Sequence, residues 1–252
     1  MNSNAKSIKI EVCAFSLESC LAAEEGGANR IELCSSMYEG GTTPSAGLIQ
    51  VTKQRTGIEI HVMIRPRGGD FCYSNDEILI MQSDIRMAKA LGCEGIVLGI
   101  LQSNGQVNIE QMKELVALAK PMQVTFHRAI DMTPDYSKAL EDIIETGCDR
   151  ILTSGQKNTA MEGIENIRNL VKQANSRVEI MAGSGINADN AQMLIHTGVN
   201  ALHLTGKSIR DSAMVYRKTE IAIGGFSDVP EYQIFYSDSK KIRAVVECLE
   251  IM

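Results

Sequence analysis

Short apolar runs alternate with amphipathic stretches along almost the whole chain. A pattern of a glycine, two linking residues and an apolar strand recurs four times: GANRIELC from Gly27, GCEGIVLG from Gly92, GCDRILTS from Gly147 and GVNALHLT from Gly198. Each copy follows a helical pattern, so the glycine serves as a left-handed C-cap and the strand begins shortly after it. Successive copies lie 65, 55 and 51 residues apart. One βα unit takes roughly 30 residues, so each interval holds two units. The remaining strands read IKIEVCA at 8–14, IEIHVMI at 58–64, MQVTFH at 122–127 and VEIMAG at 178–183, which brings the total to eight. Helical spacing covers 16–26, 45–55, 75–91, 108–119, 135–146, 159–174 and 187–197, with Asn75 and Asn187 as candidate caps.

Eight strands alternating with helices imply a parallel sheet, and a closed (β/α)8 TIM barrel accounts for both the count and the quarter-barrel repeat. An open doubly wound sheet is the alternative, but no G-x-G-x-x-G follows the first strand. The 252 residues fit a single such domain, with its core over about 8–210 and an extended C-terminal segment over 211–252. That segment is longer than one closing helix (238–250) needs, and GGFSDVPEY within it reads as irregular. Phe226, Tyr232, Ile234, Phe235 and Tyr236 cluster there. They either cover the barrel's flank or meet a partner, and the expected state is a homodimer or a higher even assembly.

Alternation within the strands sorts residues between the helix layer and the barrel interior. Lys9, Glu11 and Cys13 face inward on the first strand, and Arg30, Glu32 and Cys34 on the second. The third strand offers Glu59, His61, Met63 and Arg65, the fifth Gln123, Thr125 and His127, and the eighth Ala201, His203 and Thr205. Lys9, Arg30 and Glu59 read as an ion-pair layer at the lower end. If the two strands are neighbours in a parallel sheet, their Glu-x-Cys endings bring two thiols and two carboxylates into one small volume, where cysteines at matched heights would form a pair. Such a pair can share a soft metal ion or form a disulfide. Three of the four histidines join them on the inward face, and the fourth, His196, ends a helix.

Active sites of this fold lie on the loops after the strands. CSSMYEGGTTPS (34–45) and RPRGGDFCYS (65–74) are long loops, the second carrying Arg65, Arg67 and Asp70. Arginine in a glycine-rich turn suits bidentate binding of a carboxylate or phosphate, and a loop salt bridge to Asp70 or Glu39 is the plain alternative. Arg128 and Asp131 belong to the rim after His127, and Gly183, Ser184 and Gly185 follow the seventh strand as a candidate anion loop. No inward lysine stands near a strand's carboxyl end, which counts against a Schiff-base aldolase, and no G-x-S-x-G elbow is present.

Composition narrows the remaining choices. A net charge of -6 leaves no basic stripe for nucleic acid. No signal peptide and no apolar run near ~18 residues is visible, so no membrane partner and a cytoplasmic location are expected. Seven cysteines without a C-x-x-C pair argue against a disulfide scaffold, a zinc knuckle or a thioredoxin motif. No nucleotide-cofactor fingerprint is present.

The segments EVCAFS, NRIELCSSMYEGGTTPS, HVMIRPRGGDFCYS, TFHRAIDM, RILTSGQ and MAGSGIN, in this order over about 8–210, resemble the CutC copper-homeostasis family. The resemblance implies a cytoplasmic (β/α)8 barrel that binds copper, with Cys13 and Cys34 at the positions proposed to hold Cu(I). Met63, on the next strand, adds a thioether of the kind Cu(I) prefers, and His61 on the same strand is the other candidate for a third ligand. The alternative is a barrel enzyme of isomerase or hydrolase type. There Glu11, Glu32, His61 and His127 would bind a divalent metal or act as acid and base on a small anionic metabolite.

Overall fold

The computed structural model describes residues 8–221 and 229–249. Eight parallel strands close in sequence order: β1 (Lys9–Ala14), β2 (Arg30–Leu33), β3 (Glu59–Met63), β4 (Gly95–Leu98), β5 (Gln123–Phe126), β6 (Arg150–Thr153), β7 (Glu179–Gly183) and β8 (Ala201–Leu204). Helices α1 (Leu17–Glu25), α2 (Ala46–Arg55), α3 (Asn75–Ala90), α4 (Ile109–Ala119), α5 (Tyr136–Thr146), α6 (Ile164–Ala174) and α7 (Ala191–Ile195) connect them. The expected TIM barrel is therefore present, and the apolar set Ile10, Val12, Ile31, Leu33, Ile60 and Val62 is buried in the barrel-to-helix layer.

Local chemistry sets the helix starts. Ser16, Ser45, Asn108 and Asp135 each accept a backbone N–H from the first turn that follows. The cap of α3 is Ser74, not Asn75: its hydroxyl accepts the Glu77 amide while the Glu77 carboxylate accepts the Ser74 amide at 2.7 Å. The expected helix at 187–197 shortens to α7 because the Asn187 side chain accepts the Asp189 amide and holds a turn there. Likewise α6 begins at Ile164 rather than 159, after a turn in which the Thr159 hydroxyl accepts the Glu162 amide.

The register places the interior side chains. Glu11 stands beside Arg30 and His203, and Cys13 beside Glu32, which stands beside His61. Each step around the barrel climbs, as shear requires. The cysteines are thus not at matched heights: Cys34 stands one inward position above the partner of Cys13. The expected ion-pair layer is also different, since Arg30 pairs with Glu11 and Glu59 is exposed.

After β8 the chain forms an antiparallel hairpin, β9 (Lys207–Asp211) with β10 (Gln233–Ser237), which the sequence pattern did not suggest. The Ser237 amide donates to Ser19 Oγ on α1, and Arg210 pairs with Glu18. Phe235 meets Tyr38 of the β2–α2 loop edge-on, so the hairpin stands beside the barrel mouth. The closing helix α8 (Ser239–Glu247) buries Ile242 and Val245 completely. Phe226 of the expected aromatic cluster lies outside the described residues.

Candidate functional site

At the base of the mouth, Glu11 has no exposed surface. Its carboxylate pairs with the Arg30 guanidinium and, through Oε1, accepts His203 Nδ1 at 2.8 Å. Burial pushes the Glu11 carboxyl up, but Arg30 and His203 together hold it well below the usual carboxylate range. Burial likewise opposes the charged form of His203, yet Glu32, Cys13 and Glu11 raise it well above an ordinary histidine. Its Nε2 lies 3.7 Å from Glu32 Oε2. One ligand atom each from Cys13, Glu32 and His203 lie within 4.8 Å of one another.

The Cys13 and Cys34 sulfurs are 3.8 Å apart. Their hydrogen bond outweighs burial at Cys13, and with His203 adding to it the thiol falls to about 5. Burial pushes the Cys34 thiol well up, so it keeps its hydrogen for the Cys13 thiolate, and its Sγ lies 3.5 Å from Glu32 Oε2. Burial and the Cys13 thiolate also raise the Glu32 carboxyl well above its ordinary value. The result is a balanced set: Arg30 and His203 carry positive charge, Glu11 and Cys13 negative. That balance is what a low-dielectric interior demands of buried ions. The β2–α2 loop seals Cys34 from above, since a Cβ on Gly41 would approach its Sγ to 3.2 Å and Met63 Cε to 3.7 Å. Cys13, Cys34, Met63 and Val97 pack as one cluster. Thiolate, thiol and thioether together form a soft donor set. A gap of 3.8 Å is within reach of one ion bonded to both sulfurs at about 2.3 Å.

Above this cluster opens a cavity of about 490 Å³. Cys13, Glu32, Met63, Arg65, His127, Arg128, Ser184 and Gly185 line it. The other candidate residues do not. Glu11 and Cys34 lie behind its floor, and Gly183 is in strand β7 against Leu152 and His203. His61 is fully buried, with neither ring nitrogen partnered among the described residues, and it fits only because Gly95 has no Cβ, which would fall 2.5 Å from the ring. Burial lowers it to about 3, so it is neutral and walled off from the cavity.

The arginine loop is built differently from the expected anion clamp. Arg65 spends its guanidinium on three carbonyls, donating to those of Glu39 at 2.6 Å, Gly41 at 2.8 Å and Gly69 at 2.7 Å. It therefore ties two loops together while adding charge to the cavity wall. Arg67 turns outward to Glu77 at 2.5 Å and Asp70 at 3.1 Å, so neither Arg67 nor Asp70 reaches the cavity. Arg128 reaches the wall but is held by Asp131 at 2.9 Å and Ser154 Oγ at 2.7 Å.

His203 and Lys207 line the cavity as well. The sequence marks His203 as inward but offers no sign that it touches Glu11, 192 residues away. The one available signal was barrel closure, which makes β8 the neighbour of β1.

The profile of the CutC family matches residues 8–208. A Homo sapiens protein named copper homeostasis protein cutC homolog is 45% identical over 242 residues, covering 96% of this chain and 89% of its own. A CutC family protein of Bacteroides fragilis is 44% identical, covering 97% and 98%. Among solved structures, a copper homeostasis protein CutC from Streptococcus agalactiae superposes with a TM-score of 0.75 at 39% identity, covering 79% of this chain and 98% of that one. A thiamine phosphate pyrophosphorylase from Pyrococcus furiosus, at 16% identity and a TM-score of 0.59, shares the fold alone.

Proposed function

Since this chain belongs to the CutC family, we propose that it serves copper homeostasis in the cytoplasm by binding Cu(I) through Cys13 and Cys34. The observation that carries this reading is the 3.8 Å separation of two sulfurs on neighbouring strands, one of them a thiolate at neutral pH. Soft thiolates favour Cu(I) over harder ions, and Met63 in the same cluster supplies a thioether as a third donor. His203 stands next to Cys13, and its positive charge helps to hold that sulfur as the thiolate that ligation needs. No helix among the described residues is long and apolar enough to cross a membrane. Competition against a Cu(I) chelator is expected to show one ion per chain, with tight binding lost in Cys13→Ser and Cys34→Ser. Unchanged affinity in the double variant would overturn the assignment.

A second reading is favoured by the cavity, whose 490 Å³ is far more than an ion needs. In that reading the mouth takes a small anionic metabolite for isomerisation or hydrolysis. Of the four expected acid–base residues, Glu32 and His127 line the cavity. Glu32 has a raised carboxyl that suits a proton donor.

A further inference from the structure

Three side chains on the cavity lining converge from adjoining strands: Cys13 on β1, Glu32 on β2 and His203 on β8. Register brings them together, since Cys13 stands beside Glu32 and closure sets β8 against β1. One ligand atom from each lies within 4.8 Å of the other two. Between the carboxylate and the imidazole, Glu32 Oε2 is 3.7 Å from His203 Nε2. Metal bonds of about 2.0–2.3 Å to nitrogen, oxygen and sulfur hold tetrahedral donors roughly 3.3–3.8 Å apart. Small side-chain shifts therefore close this set on one ion.

The groups behind the set are arranged as those behind metal ligands are. His203 Nδ1 donates to Glu11 Oε1 at 2.8 Å, and Arg30 holds the other Glu11 oxygen. A carboxylate on one ring nitrogen fixes the imidazole and leaves the other nitrogen for an ion. Glu32 is 3% exposed, yet its Oε1 has no hydrogen-bond partner among the described residues. Buried polar atoms almost always have a partner, and a cation completes a carboxylate as a hydrogen bond does. Cys34 stands apart, with no exposed surface and no place on the cavity lining. The donors are then one sulfur, one nitrogen and one carboxylate. Cu(I) prefers sulfur ligands, whereas a borderline divalent ion such as Zn(II) takes this mixture.

We propose that Cys13, Glu32 and His203 form a three-ligand site for a divalent cation of the Zn(II) class, with the fourth position open to the cavity. All three ligands line that space of about 490 Å³, so a molecule entering it meets the ion. Three protein ligands and one exchangeable position are the form of a catalytic zinc site, whereas structural sites are closed by four. The inference rests on the second reading above, in which the mouth takes a small anionic metabolite, and it places a Lewis acid at the floor of that mouth. The ion replaces the proton on His203 Nε2 and the proton on Glu32, and both leave to solvent. Two charges arrive as two depart, so the buried cluster keeps its balance. Cys13 belongs both to this set and to the Cu(I) pair, so one ion excludes the other.

Titration of the reduced full-length protein with Co(II) under anaerobic conditions tests this, because cobalt reports its ligands in its absorption spectrum. One equivalent is expected to give a sulfur-to-cobalt charge-transfer band and the intense visible bands of a four-coordinate ion, and Zn(II) should abolish both. Cys13→Ser should remove the charge-transfer band. Glu32→Gln, which keeps the shape of the side chain, and His203→Gln should each weaken Co(II) about tenfold or more, whereas Cys34→Ser should stay within about threefold of the wild type. Azide should shift the visible bands by entering the open position. A wild-type protein without the charge-transfer band overturns the proposal, as does a site that is lost in Cys34→Ser and kept in Glu32→Gln. Visible bands that azide leaves unmoved overturn the open position. Should His203→Gln fail to fold without its contact to Glu11, Glu32→Gln decides. Thermal shift of the Zn(II)-loaded protein with phosphorylated and carboxylated metabolites reads the metabolite separately: no stabilisation there removes the second reading and leaves the metal site standing.

Discussion

Glu11 stands between Arg30 and His203 with no exposed surface, and both of its oxygens are occupied by cations. Removing one partner of a buried ion pair strands the other in a low dielectric at a cost of about 3–5 kcal/mol. Glu11→Gln is therefore expected to lower the unfolding free energy by about that amount in urea titration. The exposed Glu18–Arg210 pair on the flank provides the contrast, since water already screens it. Glu18→Gln should cost less than about 1 kcal/mol. Equal losses in the two variants would mean that the interior pair is no more than a surface bridge. His61 teaches a related lesson at the same scale. Its inward position was legible in the strand alternation, but its isolation was not, because that depends on the missing Cβ of Gly95 on the neighbouring strand.

The β6–α6 connection shows how an element can depend on one close approach. A Cβ on Gly163 would come within 2.0 Å of the Ser154 carbonyl oxygen and 2.9 Å of Gly155 Cα, both backbone atoms with nowhere to move. Gly163→Ala should destabilise the protein by more than about 2 kcal/mol. Ser74→Ala, which removes only the α3 cap, should cost about 1 kcal/mol. Denaturant midpoints of the two variants compare them directly, and a Gly163→Ala protein as stable as the Ser74→Ala one would refute the packing argument. Neither feature stands out in the sequence in the same way. Ser74 and Glu77 form a local signature three residues apart, whereas Gly163 matters because of the Ser154 carbonyl, nine residues earlier and just past β6.

For the molecule as a whole, the C-terminal segment sets the open question of assembly. Phe235 packs on Tyr38, and Arg210 and Arg217 cover Tyr236 and Tyr232, so the described aromatics have intramolecular partners. Ile209, Ile234, Met214, Val215 and Tyr216 remain exposed on and beside the hairpin. An apolar face of this kind favours self-association, and light scattering at micromolar concentration is expected to give about twice the chain mass of 27.5 kDa. A mass of one chain would make the hairpin a cover for its own barrel. The repeat of glycine, linker and strand determined the barrel by itself, because local periodicity and capping act over a few residues at a time. Alternation likewise determined which side chains face inward, including both thiols and three histidines. What only the tertiary structure decided was who meets whom. Shear lifted Cys34 above the partner of Cys13, and closure set His203 against Glu11. Loop packing turned Arg67 out to Asp70 and spent Arg65 on carbonyls. Those outcomes rest on register and on contacts between distant segments, and a pattern with a period of two or of 3.6 residues carries no record of them.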